Sequence, residues 1–209
     1  MSKFTQFKFS AALALVALTS LAAPAAASTT LDLSNPAFAA VSGLTSIPIG
    51  HAKFCQTRPT ECTVNTNIQD AVKLTQNRWQ ELLEVNTRLN AAIVPVTDKE
   101  LYGVEEFWTY PQGFGDCEDY ALAKRQELIK RGWNPSTLLI TVLVSPKIGG
   151  HAVLMVRTDR GDLILDNLQG LIKVWNQTPY KYIKRQSQSN AGQWVDIVDP
   201  RPAALIASL

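Results

Sequence analysis

The chain is poor in cysteine and histidine, is nearly balanced in charge, and contains no apolar run suited to crossing a bilayer. Each shortage removes a class of function. Its 209 residues carry 20 basic and 18 acidic side chains. Nucleic acids and anionic membranes both favour a basic surplus, so neither is an expected partner. The apolar stretch from Ala11 to Leu21 is shorter than the roughly 20 residues that a spanning helix needs. It follows Lys3 and Lys8 and precedes Ala25-Ala26-Ala27, the layout of a secretory signal with a small-residue cleavage site. The expected division is a signal peptide over 1–27 and one domain over 28–209, a length that can bury a sizeable core. Loss of 1–27 removes Lys3 and Lys8 and no acid, which leaves 18 charges of each sign. No cysteine follows the cleavage site to take a lipid anchor. The mature chain is therefore expected to be periplasmic and not membrane-spanning. No internal repeat or low-complexity block interrupts it outside the signal.

Export places thiols where they oxidise, and three cysteines then leave one over after a single bridge. Cys55 and Cys62 stand seven positions apart in Cys55-Gln-Thr-Arg-Pro-Thr-Glu-Cys62, a spacing that a small disulfide loop can close. A metal site at the same two cysteines would need more ligands than His51 and a few nearby acids offer. Pairing Cys55 with Cys62 makes Cys117 the free thiol.

What is present is ordered simply, helices first and strands afterwards, which predicts an α+β domain. From Thr66 the positions Ile68, Val72, Trp79, Leu82, Leu83, Leu89 and Ile93 recur at helical spacing, predicting one long amphipathic helix capped near Thr66 or Asn67. A second helix is expected from Cys117 to Arg131, with Asp116 as N-cap, Asp119 as the capping-box acid and Gly132 as the stop. Strands are expected at Leu138 to Val144, Ala152 to Arg157 and Leu163 to Asp166, with a turn over 158–162. Further short strands are expected at Ile172 to Trp175, Tyr180 to Lys184 and Trp194 to Val198.

The chemistry-bearing run is Gly115-Asp116-Cys117-Glu118-Asp119-Tyr120. It puts the free thiol in the first turn of a helix, where outward-pointing backbone N–H groups favour a thiolate. His151 opens one strand of the predicted hairpin and Asp166 closes the next, so the open hairpin ends bring them together despite their separation. An acid that orients an imidazole, and an imidazole that takes a proton from a thiol, make a nucleophile able to attack an acyl carbon. The Cys117 backbone N–H supplies one oxyanion donor, and Trp108, Tyr110 and Gln112 are candidates for the second. Asn167 is a candidate further partner for the acid. The acids beside Cys117 oppose its ionisation by like charge. A hard cation such as Ca²⁺, with Asp116 and Glu118 among its oxygen ligands, removes that conflict; simple capping of the positive helix end accounts for Asp116 and Asp119 without any ion.

Together with Gly150-His151-Ala152-Val153-Leu154 and Leu163-Ile164-Leu165-Asp166-Asn167, the cysteine run resembles the bacterial transglutaminase-like cysteine peptidases. The likeness extends through Leu138 to Val142, the Arg157 to Asp162 turn, Lys184 to Ser187 and the Cys55 to Cys62 loop. It implies a papain-like or transglutaminase-like core, with the nucleophile at a helix N-terminus packed on an antiparallel sheet and Cys117, His151 and Asp166 as a catalytic triad. The LapG-related branch of periplasmic proteases adds further expectations. These are calcium held by the acids flanking the nucleophile, which map onto Asp116 and Glu118, a cell-surface adhesin as protein substrate, and an inner-membrane cyclic-di-GMP receptor as partner. That branch usually reads Trp-x-Thr-Pro-x-Glu before the cysteine. Here the segment is Trp108-Thr109-Tyr110-Pro111-Gln112, without the glutamate.

The expected function is thus that of an exported cysteine endopeptidase working through a thioester on a surface or envelope protein. Two other functions fit parts of the same pattern. Transglutaminase-type acyl transfer, or amide hydrolysis of cell-wall peptides, uses the same three residues. A non-catalytic periplasmic binding protein would instead use Trp175, Tyr180, Tyr182 and Trp194, with Lys181, Lys184 and Arg185 between them, as a recognition surface. The same alternation more often gives a strand's buried face and its solvated one.

Overall fold

Residues 138 to 198 carry the β-branched and leucine-rich runs, and they build the sheet on which the helices rest. The structure is a computed structural model and describes Met1 and residues 37–202. The expected signal segment beyond Met1 and its cleavage site lie outside the described residues. In chain order the elements are β1 (Ala40–Thr45), α1 (Ile49–Thr57), α2 (Gln76–Ala92), β2 (Val94–Pro95), α3 (Asp98–Tyr102), β3 (Phe114–Gly115) and α4 (Cys117–Lys130). They continue with β4 (Leu138–Ser145), β5 (Gly149–Thr158), β6 (Gly161–Leu165), β7 (Lys173–Val174), β8 (Lys181–Gln186) and β9 (Trp194–Val198). One sheet of 7 strands runs β1-β9-β8-β4-β5-β6-β7, every neighbouring pair antiparallel. The mixed helix and antiparallel-sheet architecture is the one expected.

α4 lies on β5 and β4, and α2 packs on α4. Leu82 and Val85 of α2, Leu128 of α4, and Leu143, Leu154 and Met155 of the sheet are all excluded from solvent. Each such side chain contributes about 1.5–3 kcal/mol by leaving water. The Tyr120 hydroxyl donates to the Ile93 carbonyl at the end of α2, which fixes the register of the two helices. β2 and β3 pair in parallel, Val94 with Phe114 and Pro95 with Gly115. That short ladder brings the start of α3 beside the start of α4.

The structure corrects three local expectations. The long helix begins at Gln76, with Thr75 as its cap accepting from the Arg78 N–H at 3.3 Å. The preceding residues run extended: the Val72 N–H donates to the Arg157 carbonyl at 3.0 Å and the Val72 carbonyl accepts from Asp159 at 2.8 Å. Backbone partners at the end of β5 outcompete the local helical period there. Asp116 does precede α4, yet its carboxylate makes no cap bond to that helix; it accepts from the Asp98 N–H at 3.3 Å. Asp119 likewise does not close a capping box, because its carboxylate accepts from the Thr109 N–H at 2.9 Å. The aromatics Trp175, Tyr180, Tyr182 and Trp194 are all buried, the outcome that the alternation more often gives, so they form no exposed recognition surface. Arg185 is buried as well, while Lys181 is exposed.

Five elements went unforeseen: β1, α1, β2, α3 and β3. β1 pairs with β9 through an irregularity between Val41 and Leu44 and has no inward-facing set of side chains, so the alternation that marks a strand is missing. α3 is a five-residue helix with a full capping box between Thr97 and Glu100.

Candidate active site

The hairpin register explains how His151 meets Asp166. β5 and β6 pair from Thr158 with Gly161 out to Leu154 with Leu165. Continued by one step, Asp166 would face Val153, and the diagonal neighbour on that face is His151. The His151 Nε2 lies 2.8 Å from Asp166 Oδ1, and both side chains are buried. The acid has two further donors that sequence reasoning missed. Tyr180 gives its hydroxyl to Oδ2 at 2.5 Å, and the Leu168 N–H gives to Oδ1 at 2.9 Å. Asn167 contributes no bond; its own amide oxygen is buried without a partner among the described residues. Burial pushes Asp166 toward protonation, and the bonds from His151, Tyr180 and Leu168 overcome it and hold the carboxyl below its ordinary range. Tyr180 lies beyond β7, and no spacing rule ties it to Asp166.

Because β6 leaves the ladder at Leu165, the Ala152 N–H has no strand partner on that edge and is given to Cys117 Sγ at 3.3 Å. The nucleophile candidate therefore sits against the residue that follows His151. Cys117, His151, Ala152, Gly150, Trp108 and Glu118 line one cleft of about 290 Å³. Of the three oxyanion candidates Trp108 lines it, and its indole N–H is given to Glu106 at 3.0 Å; Tyr110 packs instead against Phe54.

The electrostatics differ from a simply primed thiol. Burial pushes the Cys117 thiol well up, the Glu118 and Asp116 charges add to that, and the Ala152 N–H opposes it. The thiol donates to Glu118 Oε2 at 3.2 Å. Glu118 is itself pushed up to about 10 by burial and by Asp116, and Asp119 to about 7, chiefly by burial. Burial also raises Asp98. The helix terminus alone does not offset this negative charge.

Asp98, Asp116 and Glu118 bring one oxygen each to within 4.8 Å of one another. Oδ1 of Asp98, Oδ1 of Asp116 and Oδ2 of Asp119 are buried with no hydrogen-bond partner among the described residues. Clustered carboxylates with spare lone pairs and no paired cation among the described residues fit a hard divalent ion. Asp116 and Glu118 were foreseen. Asp98 was not, because the Thr97-Asp98 step reads as a helix boundary and only the β2–β3 ladder carries it to Asp116.

Cys55 and Cys62 form a disulfide, with Cα atoms 5.6 Å apart, which disposes of a metal there. His51 lies beside it in the core. Trp194 donates to its Nδ1 at 3.0 Å, and its Nε2 lies 3.2 Å from the Gln186 amide nitrogen and 3.8 and 3.9 Å from the two sulfurs. Burial, with Arg125 assisting, pushes His51 down to about 4, so the ring is neutral at physiological pH. It supports Trp108 from behind at 5.4 Å between ring centroids. Gly50 completes this wall: a Cβ there would lie 2.2 Å from Trp108 Cδ1. Gly50→Ala is accordingly expected to lower stability by about 1–3 kcal/mol and to alter Trp108 fluorescence; an unchanged denaturation midpoint would show that the wall yields freely.

Residues 41–202 match the sequence model of the bacterial transglutaminase-like cysteine proteinases. The chain belongs to this family. It is thereby a transglutaminase-like cysteine peptidase, with a protein as its class of substrate. Among solved structures, Legionella pneumophila LapG is 28% identical over 58% of this chain and 70% of its own, with a TM-score of 0.49. The calcium-bound form of the same protein is 23% identical over 69% and 87%, with a TM-score of 0.50, and shares the fold. An EGTA-treated form is 27% identical over 58% and 72%, with a TM-score of 0.48. No curated protein matches the chain. Among the described residues no helix is long and apolar enough to cross a membrane.

Proposed function

We propose that this family member is a periplasmic, calcium-dependent cysteine endopeptidase that processes a surface or envelope protein, with Cys117 as nucleophile, His151 as proton carrier and Asp166 as the acid that orients it. The observation that carries the assignment is the buried His151–Asp166 bond at 2.8 Å beside the sulfur that Ala152 holds. With Nε2 committed to Asp166, the other imidazole nitrogen, which has no partner among the described residues, is the one available to the thiol proton. Cys117 attacks the acyl carbon, and its proton passes through His151 to the leaving amine. Water then releases the acyl group from the thioester, with His151 as base. The Cys117 N–H stabilises the oxyanion, and Trp108 is the candidate second donor if its indole turns from Glu106.

Asp98, Asp116 and Glu118 would hold the calcium ion. Its charge, when bound, offsets the carboxylates that otherwise oppose ionisation of Cys117. The adhesin substrate and the cyclic-di-GMP receptor implied by the LapG-related branch belong to the same proposal, supported only by that likeness. The experiment that tests it compares protein N-termini in periplasmic and surface fractions of cells carrying the native chain or Cys117→Ala. A cleavage product confined to the native strain supports hydrolysis. Isopeptide cross-links in its place would move the assignment to acyl transfer.

Tyr180 is a positioning residue in this scheme. Tyr180→Phe is expected to lower kcat roughly tenfold to a hundredfold, corresponding to the about 1.5–3 kcal/mol of a hydrogen bond to a charged group. KM should stay unchanged. Losing a donor raises the proton affinity of Asp166, so the acid limb of the pH–rate profile should move to higher pH. An unmoved limb would reduce Tyr180 to packing.

A further inference from the structure

A second cavity, of about 490 Å³, opens beside the His151–Asp166 pair, with Lys147, Ile148, Leu168, Lys173, Pro179 and Tyr180 on its wall. It shares no lining residue with the cleft around Cys117. Two of its residues nevertheless hold the acid, since the Tyr180 hydroxyl and the Leu168 N–H both donate to the Asp166 carboxylate. The Tyr180 ring stands edge-on to His151, 5.8 Å between centroids. The chain itself links the two cavities: Gly150 lines the cleft, Ile148 lines the second cavity, and Gly149 alone lies between them. Both glycines are exposed. A Cβ built on either would meet nothing within 4 Å, so an open saddle joins the cleft to the cavity. From Gly150 to Ile148 is at most about 7 Å, which two residues of extended peptide cover.

The wall carries charge of one sign. Lys147 and Lys173 line it and no acid does, and among the described residues neither lysine pairs with a carboxylate. Beside them Ile148 is 56% exposed and Leu168 45%, large apolar side chains left in water next to unneutralised ammonium groups. Such a surface complements a chain that mixes apolar and acidic side chains. The side of the scissile bond follows from the proton's path. His151 hands its proton to the leaving amine, so the leaving part of the substrate departs past the imidazole. The saddle over Gly149 and Gly150 then leads it to the lysines.

We propose that this cavity is the subsite for the leaving side of the protein substrate, where Lys147 and Lys173 select an aspartate or glutamate about two to four residues after the scissile bond. Apolar neighbours of that acid seat on Ile148 and Leu168. The inference rests on the peptidase reading of Cys117, His151 and Asp166, and it adds to that reading a preference in the substrate sequence.

The test digests a peptide library of random sequence with the full chain in calcium and reads the cut sites by mass spectrometry. Aspartate and glutamate should be enriched after the cut and not before it. In the paired variant Lys147→Glu, Lys173→Glu the enrichment should pass to lysine and arginine; Lys173→Gln replaces Lys173→Glu if the pair fails to fold, and the acidic enrichment should then vanish. For matched peptides the ratio of kcat/KM, acidic over neutral, should fall in the paired variant by roughly fivefold to thirtyfold, the scale of two partly exposed charge pairs. The native ratio should also shrink as salt is added. No acidic enrichment, enrichment confined to positions before the cut, or enrichment that survives the paired variant overturns the inference. If the native chain cuts no peptide, the peptidase reading falls and binding decides the cavity. The chain should then bind a labelled pentapeptide of alternating leucine and aspartate more tightly than its leucine and lysine counterpart, read by fluorescence anisotropy, and equal affinities overturn the subsite. A native dimer that the paired variant dissociates would give the cavity to a second copy of the chain and overturn it as well.

Discussion

Cys117→Ala is expected to lower cleavage of the native substrate by about 10⁴-fold or more, the scale on which loss of a covalent nucleophile acts when its partners remain. The fold should survive. The sulfur's contacts are the Ala152 N–H and Glu118, and alanine suits the first turn of a helix. Stability should therefore change by no more than about 1 kcal/mol. Loss of activity with a native melting curve would separate chemistry from folding, because His151, Asp166 and Tyr180 stay in place. Appreciable residual cleavage would require another nucleophile, and Cys117 is the free cysteine among the described residues. His151→Ala should fall as far, since it leaves the thiol protonated beside Glu118.

How much of this was legible in the sequence depended on whether the determining contact was local. α4 was readable because its formers, its stop at Gly132 with φ of 79° and its leading Cys117 lie in one segment. The β5–β6 hairpin was readable for the same reason, and with it the meeting of His151 and Asp166, since a short turn fixes register within a few residues. The start of α2 was misplaced because Val72 has helical spacing from Ile68 onward but finds backbone partners at Arg157 and Asp159, more than eighty residues away. Asp98 and Tyr180 were missed on similar grounds. Asp98 joins the acid cluster through a two-residue ladder, and Tyr180 reaches Asp166 from beyond a strand.

The acid cluster supports the second large effect, a calcium stabilisation that grows with pH. Asp98 is raised, Asp119 is pushed up to about 7 and Glu118 to about 10, in each case first by burial. A carboxyl whose folded value lies above its unfolded one contributes stability that is complete below the unfolded value and is lost as pH rises through the folded value. The ion-free chain should therefore weaken progressively from about pH 5 upward, through the Asp119 value and on toward that of Glu118. A divalent cation takes over from the protons. At a hundredfold excess over its dissociation constant it should add about 2.7 kcal/mol, or roughly 5–10 °C in Tm for a chain of this size. The gain should be large at about pH 8 and small at about pH 5, where protons compete for the same oxygens. Asp98→Asn should remove most of it while leaving Cys117, His151 and Asp166 in place. Chelation at neutral pH should stop cleavage and slow the labelling of Cys117 by an electrophile, and added calcium should restore both. Differential scanning calorimetry across pH, with calcium and with chelator, measures the stability arm directly. Equal gains at pH 5 and pH 8, or none at either, would mean that the raised acids serve the fold alone and that the charge opposing the Cys117 thiolate is offset some other way.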